Sequence, residues 1–229
     1  MSGRLLYDLA GADGRRFSPF CWRAKMALLH KGLPFDTRPT RFMDISKIAG
    51  GGHKTVPVLD DRGHVVRDSF EIALYLERAY PDRPSLFGGE GGQAAARFTD
   101  AWVGSAISPA LIGLVVHDIH ECLDDGDKPY FRESREKRLG LALEEAQASR
   151  ETKVAVLRDA LLPLRRMLSF QPFIGGATPL FSDYILFGTL QWSRVISTFS
   201  ILEPDDPVAE WFERMLDLHA GAGRNQRAA

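Results

Sequence analysis

The stretch Phe17-Ser-Pro-Phe-Cys-Trp-Arg-Ala-Lys-Met-Ala-Leu-Leu-His-Lys-Gly32 decides how the rest of the chain is read. It follows a short apolar run, residues 5–9, that reads as a strand. Ser18 suits a helix N-cap, and Pro19 suits the first helical position, where its missing N–H is no loss. Ala24, Met26, Ala27, Leu28 and Leu29 favour helix, and Gly32 is placed to end it. A strand that runs into a helix leaves unpaired N–H groups and the positive end of the helix dipole at the junction. Such a junction favours an anion. A hydroxyl aimed at it can hold a thiolate, but from local pattern alone Ser18 reads first as a plain cap.

Working outward, residues 4–10 form the first strand, and Gly11-Ala-Asp-Gly14 a turn. Residues 35–42 read as a second strand, with Pro39 at an edge or a bend. Residues 43–49 suit a short helix before the flexible Gly50-Gly-Gly52. Thr55-Val-Pro-Val-Leu59 and His64-Val-Val-Arg67 read as a hairpin. Asp68-Ser69 opens a helix over 70–80, with Glu71 as a capping-box partner. The order β-α-β-(α)-β-β-α predicts a short mixed sheet with helices packed on it. Residues 1–82 are expected to form that α/β domain, and the Pro/Gly-rich 83–93 a linker. Residues 94–229 read as an all-helical domain. Its expected helices are 94–122, bent at Pro109, then 130–147, 152–170, an apolar 182–197 and 207–219.

Pro57 sits between two valines, where it cannot donate to a ladder. Either the Val56–Pro57 bond is cis and Val56 is free to pair with an extended ligand, or a trans proline lies on an edge strand.

Composition narrows the function classes. The chain has 229 residues, 45% of them hydrophobic, and a formal net charge of −1. That balance gives no global support to a nucleic-acid or anionic-membrane surface. Cys21 and Cys122 are the only cysteines, so a disulfide framework is not expected and a reducing cytoplasm is. The first residues carry no apolar leader-like run. The longest apolar stretch, residues 107–116, contains Pro109 and Gly113 and is too short to span a bilayer.

Four stretches in order now carry a resemblance: Ser18-Pro-Phe-Cys21, Val56-Pro-Val-Leu59, Asp68-Ser69 and the helical half after residue 85. Together they resemble the cytosolic glutathione transferases, which pair a thioredoxin-like domain with an all-α domain. Within that family the chain looks most like the glutathione-dependent β-aryl etherases and the fungal etherase-like transferases. That likeness rests on the Ser18–Gly32 stretch, Tyr130-Phe-Arg-Glu-Ser-Arg-Glu-Lys137, Phe181-Ser-Asp-Tyr184 and Asp205-Asp-Pro-Val-Ala-Glu-Trp211.

The resemblance implies glutathione as co-substrate, an apolar small molecule as its partner, and a homodimer. It gives Ser18 the catalytic place, donating to the glutathione sulfur. It assigns glutathione to Ser18, Phe20, Lys54, Thr55, Val56, Pro57, Asp68 and Ser69. A free thiol titrates near about 8.5, and a helix N-terminus plus a hydroxyl can bring it towards about 6 to 7. Asp68 and Ser69 can cap their helix and hold the γ-glutamyl end together, since both tasks use the same N–H groups. The resemblance also departs from pattern: Leu180 stands three residues before Asp183, where the family often has Ser or Thr, so half of that capping box is missing.

Other candidates remain. Phe20, Trp22, Trp102, Ile107, Leu111 and Leu114 can wall an apolar pocket or pack a core. Cys21 is either a packing residue or a secondary thiol that forms a mixed disulfide with glutathione. His117, His120, Glu121 and Cys122 cluster on one helix without a further ligand signalled, and no metal is expected. Residues 132–138 are charge-dense and of mixed sign, and read as a solvated helix face. Three functions follow from these readings: a transferase acting on an apolar, aromatic electrophile, including aryl ether or thioether cleavage; a non-catalytic ligand carrier; and a thiol-exchange enzyme using Cys21.

Overall fold

β1 (Arg4–Leu9) is the central strand around which the first half is built. In this computed structural model, which describes residues 3–229, β1 pairs parallel with β2 (Asp36–Thr40) and antiparallel with β3 (Val58–Asp61). β3 pairs antiparallel with β4 (His64–Arg67), giving the sheet order β2-β1-β3-β4. Met1 and Ser2, assigned above to the first domain, lie outside the described residues. α1 (Pro19–His30) and α2 (Ser69–Ala79) complete this half. The mixed sheet followed by a helical half is the fold class expected from the sequence.

Pro39 sits within β2, and four of that strand's five residues are exposed. β2 is an edge strand, which is where a proline is tolerated. The Val56–Pro57 bond is cis, and β3 begins only at Val58. The backbone of Val56 therefore lies outside the ladder.

The second half begins with α3 (Glu90–Trp102), so helix starts at Glu90 and not at Ala94. A π turn (Val103–Ile107) joins α3 to α4 (Ser108–Cys122). The expected bend at Pro109 takes this form because proline has no N–H for the carbonyl four residues back. The Ser108 N–H reaches back five residues to the carbonyl of Val103. From Glu90 to Cys122 the helix is, by length and composition alone, apolar enough to cross a membrane. Here Val103, Ile107, Leu111, Leu114 and Val115 are fully buried in the core.

The expected helix over 130–147 is two helices, α5 (Lys128–Leu139) and α6 (Leu143–Gln147). Gly140 divides them in the left-handed region at φ 72°. The expected helix over 152–170 is likewise split into α7 (Arg150–Ala160) and α8 (Leu162–Leu168), with Pro163 in the first turn of α8. α9 (Phe181–Ile196) and α10 (Pro207–Gly221) follow.

α9 is the buried axis of the molecule and packs on both α1 and α3. A Cβ on Gly188 would lie 2.4 Å from the carbonyl oxygen of Pro19, so only glycine allows α1 and α9 to approach this closely. The missing half of the α9 capping box is made up elsewhere. Asp183 accepts the N–H groups of Leu180, Ile174 and Gly175 at 3.0, 2.7 and 2.8 Å. The Trp211 indole N–H adds a fourth bond at 3.1 Å.

Candidate functional site

Ser18 caps α1, and its Oγ accepts the Cys21 N–H at 3.3 Å. It is buried, yet it lines a cleft of about 740 Å³ between the two halves. Phe17, Phe20, Lys54, Thr55 and Val56 share its wall. The opposite wall comes from the helical half: Ser108 and Ile112 of α4, Tyr130 and Phe131 of α5, and Trp192 of α9. The floor is thus apolar and aromatic, while the Ser18 wall offers a hydroxyl, a helix N-terminus and the unladdered backbone of Val56.

Cys21 is fully buried, and burial, reinforced by the negative charge of Asp8, pushes its pKa far up. Cys21 is a core residue and does not line the cleft.

Asp68 caps α2, its Oδ1 accepting the N–H groups of Phe70 and Glu71 at 2.7 and 3.2 Å. It holds a positive φ of 68° and is exposed, while Ser69 beside it is buried. Neither lines the cleft, nor does Pro57. Nearby, Arg23 pairs with Asp100 at 2.7 Å, and its guanidinium lies 4.6 Å from the centre of the Phe20 ring.

Of the side chains expected to wall the apolar pocket, Phe20 lines it. Trp22 is 1% exposed and packs edge-on against Phe187. Ile107, Leu111 and Leu114 are fully buried, and Trp102 is half-buried outside the cleft lining. Trp22, Ile107, Leu111 and Leu114 lie on the core-facing sides of their helices. Ser108 and Ile112, each one residue on from Ile107 and Leu111, face the cleft instead.

The charge-dense segment 132–138 is not simply a solvated face. Arg135 and Arg138 both line the cleft, and no aspartate or glutamate does. Arg132, half-buried, pairs instead with Glu136 and Glu144 at 2.8 and 2.7 Å. The same Glu144 lies 3.4 Å from His117 Nε2, and His120 Nδ1 bonds Glu121 at 2.9 Å. The ligating atoms of His117, His120 and Glu121 fall within 4.8 Å of one another. Glu144, the neighbouring carboxylate, is already committed to Arg132.

A serine at the head of a helix, across from an aromatic wall, in a mixed-sheet domain leading into a helical one, is matched by two family models. Residues 17–79 match the glutathione S-transferase N-terminal domain, and residues 94–217 match the glutathione S-transferase C-terminal domain. The chain belongs to the glutathione S-transferase family. The N-terminal domain of that family binds glutathione as co-substrate.

Among relatives, the glutathione S-transferase-like protein ustS of Aspergillus flavus is 27% identical over 220 residues, covering 82% of this chain and 78% of that protein. Among solved structures, the transferase GSTFuA3 of Phanerochaete chrysosporium superposes with a TM-score of 0.79 at 26% identity, covering 92% of this chain and 95% of its own. The transferase CsGST63524 of Ceriporiopsis subvermispora, solved with glutathione, gives 0.75 at 25% identity, with 97% and 94% covered. Fungal transferases of the FuA class are thus among the structural neighbours of this family member, in keeping with the likeness read from its sequence.

Proposed function

We propose that this chain is a glutathione transferase in which Ser18 stabilises the glutathione thiolate for attack on an apolar, aromatic electrophile. The carrying observation is Ser18 itself: a hydroxyl at the N-terminus of α1, facing an aromatic cleft. The helix dipole and the hydroxyl both favour the thiolate over the thiol. Val56 and Thr55 would align the cysteinyl and glycyl backbone by strand-like pairing, with Lys54 at the glycyl carboxylate. Asp68 and Ser69 would take the γ-glutamyl end. The thiolate forms a carbon–sulfur bond as the leaving group departs with its electron pair, and an aryl ether or thioether is a fitting substrate. A homodimer in a reducing cytoplasm completes this reading.

The test is the ultraviolet absorbance of bound glutathione against pH, for the native protein and for Ser18→Ala. The expected result is a thiolate signal at pH 7 that the variant loses while still binding glutathione. An unchanged signal in Ser18→Ala would remove Ser18 from the mechanism. Bound glutathione that stays protonated in the native protein would favour a ligand carrier.

A further inference from the structure

Arg135 and Arg138 bring positive charge to the cleft from α5, the helix opposite Ser18. The Arg135 guanidinium lies 4.7 Å from the centre of the Phe131 ring and 5.5 Å from that of Phe42. It donates one bond at 2.9 Å, to the hydroxyl of its neighbour Ser134. Among the described residues no carboxylate pairs with Arg135 or Arg138. Glu136 and Glu144 are taken by Arg132, and Glu133, two residues before Arg135, is exposed and makes no ion pair with either arginine.

That arrangement is costly as it stands. A half-buried cation without a counter-charge loses hydration that one neutral hydrogen bond and two ring faces replace only in part. Two like charges three residues apart on one helix repel. Burial first, and Arg138 second, lower the pKa of Arg135. Guanidinium tolerates the position because it is weakly hydrated and stacks on aromatic rings. An anion entering the cleft would relieve both the desolvation and the repulsion, and the aromatic residues around it favour an anion carried on a ring.

We propose that Arg135, supported by Arg138, anchors an anionic aryl co-substrate: a ring carboxylate binds the guanidinium while the ring packs among Phe42, Tyr130 and Phe131. This deepens, and rests on, the reading of the cleft as the electrophile's site. Glutathione carries carboxylates too, but its proposed contacts are all on the other domain.

The experiment compares two chloroarenes, 4-chloro-3-nitrobenzoate and the uncharged 1-chloro-2,4-dinitrobenzene. With each, the thiolate bonds to the chlorine-bearing carbon and chloride leaves with the bonding pair, giving an aryl thioether. The ratio of kcat/KM for the benzoate over the uncharged substrate is expected to fall about 10- to 100-fold in Arg135→Gln. Arg135→Lys, which keeps the charge, is expected to recover part of it. A ratio unchanged in Arg135→Gln overturns the proposal.

Calorimetric binding of 3-nitrobenzoate needs no turnover. Its Kd is expected to rise about tenfold or more in Arg135→Gln. A glutathione Kd that rises as much would overturn the proposal by assigning Arg135 to glutathione. If neither chloroarene reacts but 3-nitrobenzoate binds in an Arg135-dependent way, the anchor stands and the transferase reading falls.

Discussion

Asp127, at the head of α5, accepts the backbone N–H of Phe42 at 2.8 Å. Its second oxygen accepts the N–H of Met43 at 3.0 Å, and the carboxylate is buried. This clamp ties the start of the 3₁₀ helix after β2 (Phe42–Lys47) to the helix that carries Tyr130, Phe131 and Arg135. Asp127→Ala leaves two N–H groups without partners and is expected to cost about 1–3 kcal/mol of stability. KM for the aryl co-substrate should rise more than KM for glutathione, because α5 builds only the far wall. Equal rises in both would mean that the clamp supports the whole fold and not that wall.

Gly188→Ala places a methyl group against the Pro19 carbonyl, a backbone atom that cannot swing aside. The expected penalty is about 1–3 kcal/mol, seen as a lower denaturant midpoint with an unchanged slope. Since Pro19 follows Ser18 directly, thiolate formation should weaken as well. A variant as stable as the native protein would mean that α1 and α9 can part without cost.

His30, Tyr184 and His219 form a chain across the domain boundary. His30 Nδ1 lies 2.7 Å from the Tyr184 hydroxyl, which lies 3.2 Å from His219 Nε2. Burial, then repulsion from His30, brings the pKa of His219 down to about 4, and burial lowers that of His30. Lys31 opposes and Glu77 favours a proton on His30. Below the unfolded value near 6.5 the unfolded chain therefore binds more protons than the folded one. Stability should be full above pH 6.5 and fall as pH drops towards 4. His219→Asn, which suits the left-handed φ of 53° there, should flatten the fall in thermal melts. A fall of equal steepness in the variant would place its origin elsewhere.

Cys21→Ala should leave turnover per folded molecule within about threefold and cost about 1 kcal/mol of packing. In the native protein the buried thiol should resist iodoacetamide until unfolding. Rapid alkylation of Cys21, or loss of thiol-exchange activity in the variant, would restore a chemical role to it.

Local signals were legible in the sequence; faces were not. The Ser18-Pro19 helix start, the 64–67 hairpin strand and the Asp68 cap each depend on a few adjacent residues, and they stand where the sequence puts them. Trp22 and Phe20 are two apart on a helix with apolar residues on both sides, so nothing local says which one meets the cleft. Ile107 and Ser108 pose the same problem where the π turn meets α4. Arg135 looked solvated because its neighbours are charged. Its place in the cleft is set by the docking of α5, through an Asp127 bond to residues far back in the chain.

The π turn at Val103–Ile107 makes the width of the cleft a matter of counting. Gly104, Ser108 and Ile112 stand four apart along the cleft wall. Removing a single residue from 103–107 would turn α3 by about 100° about the helix axis relative to α4. No side chain need change for that wall to be rebuilt. In this fold, insertion or deletion within that one turn is a route to a new cleft shape that leaves every pocket side chain in place.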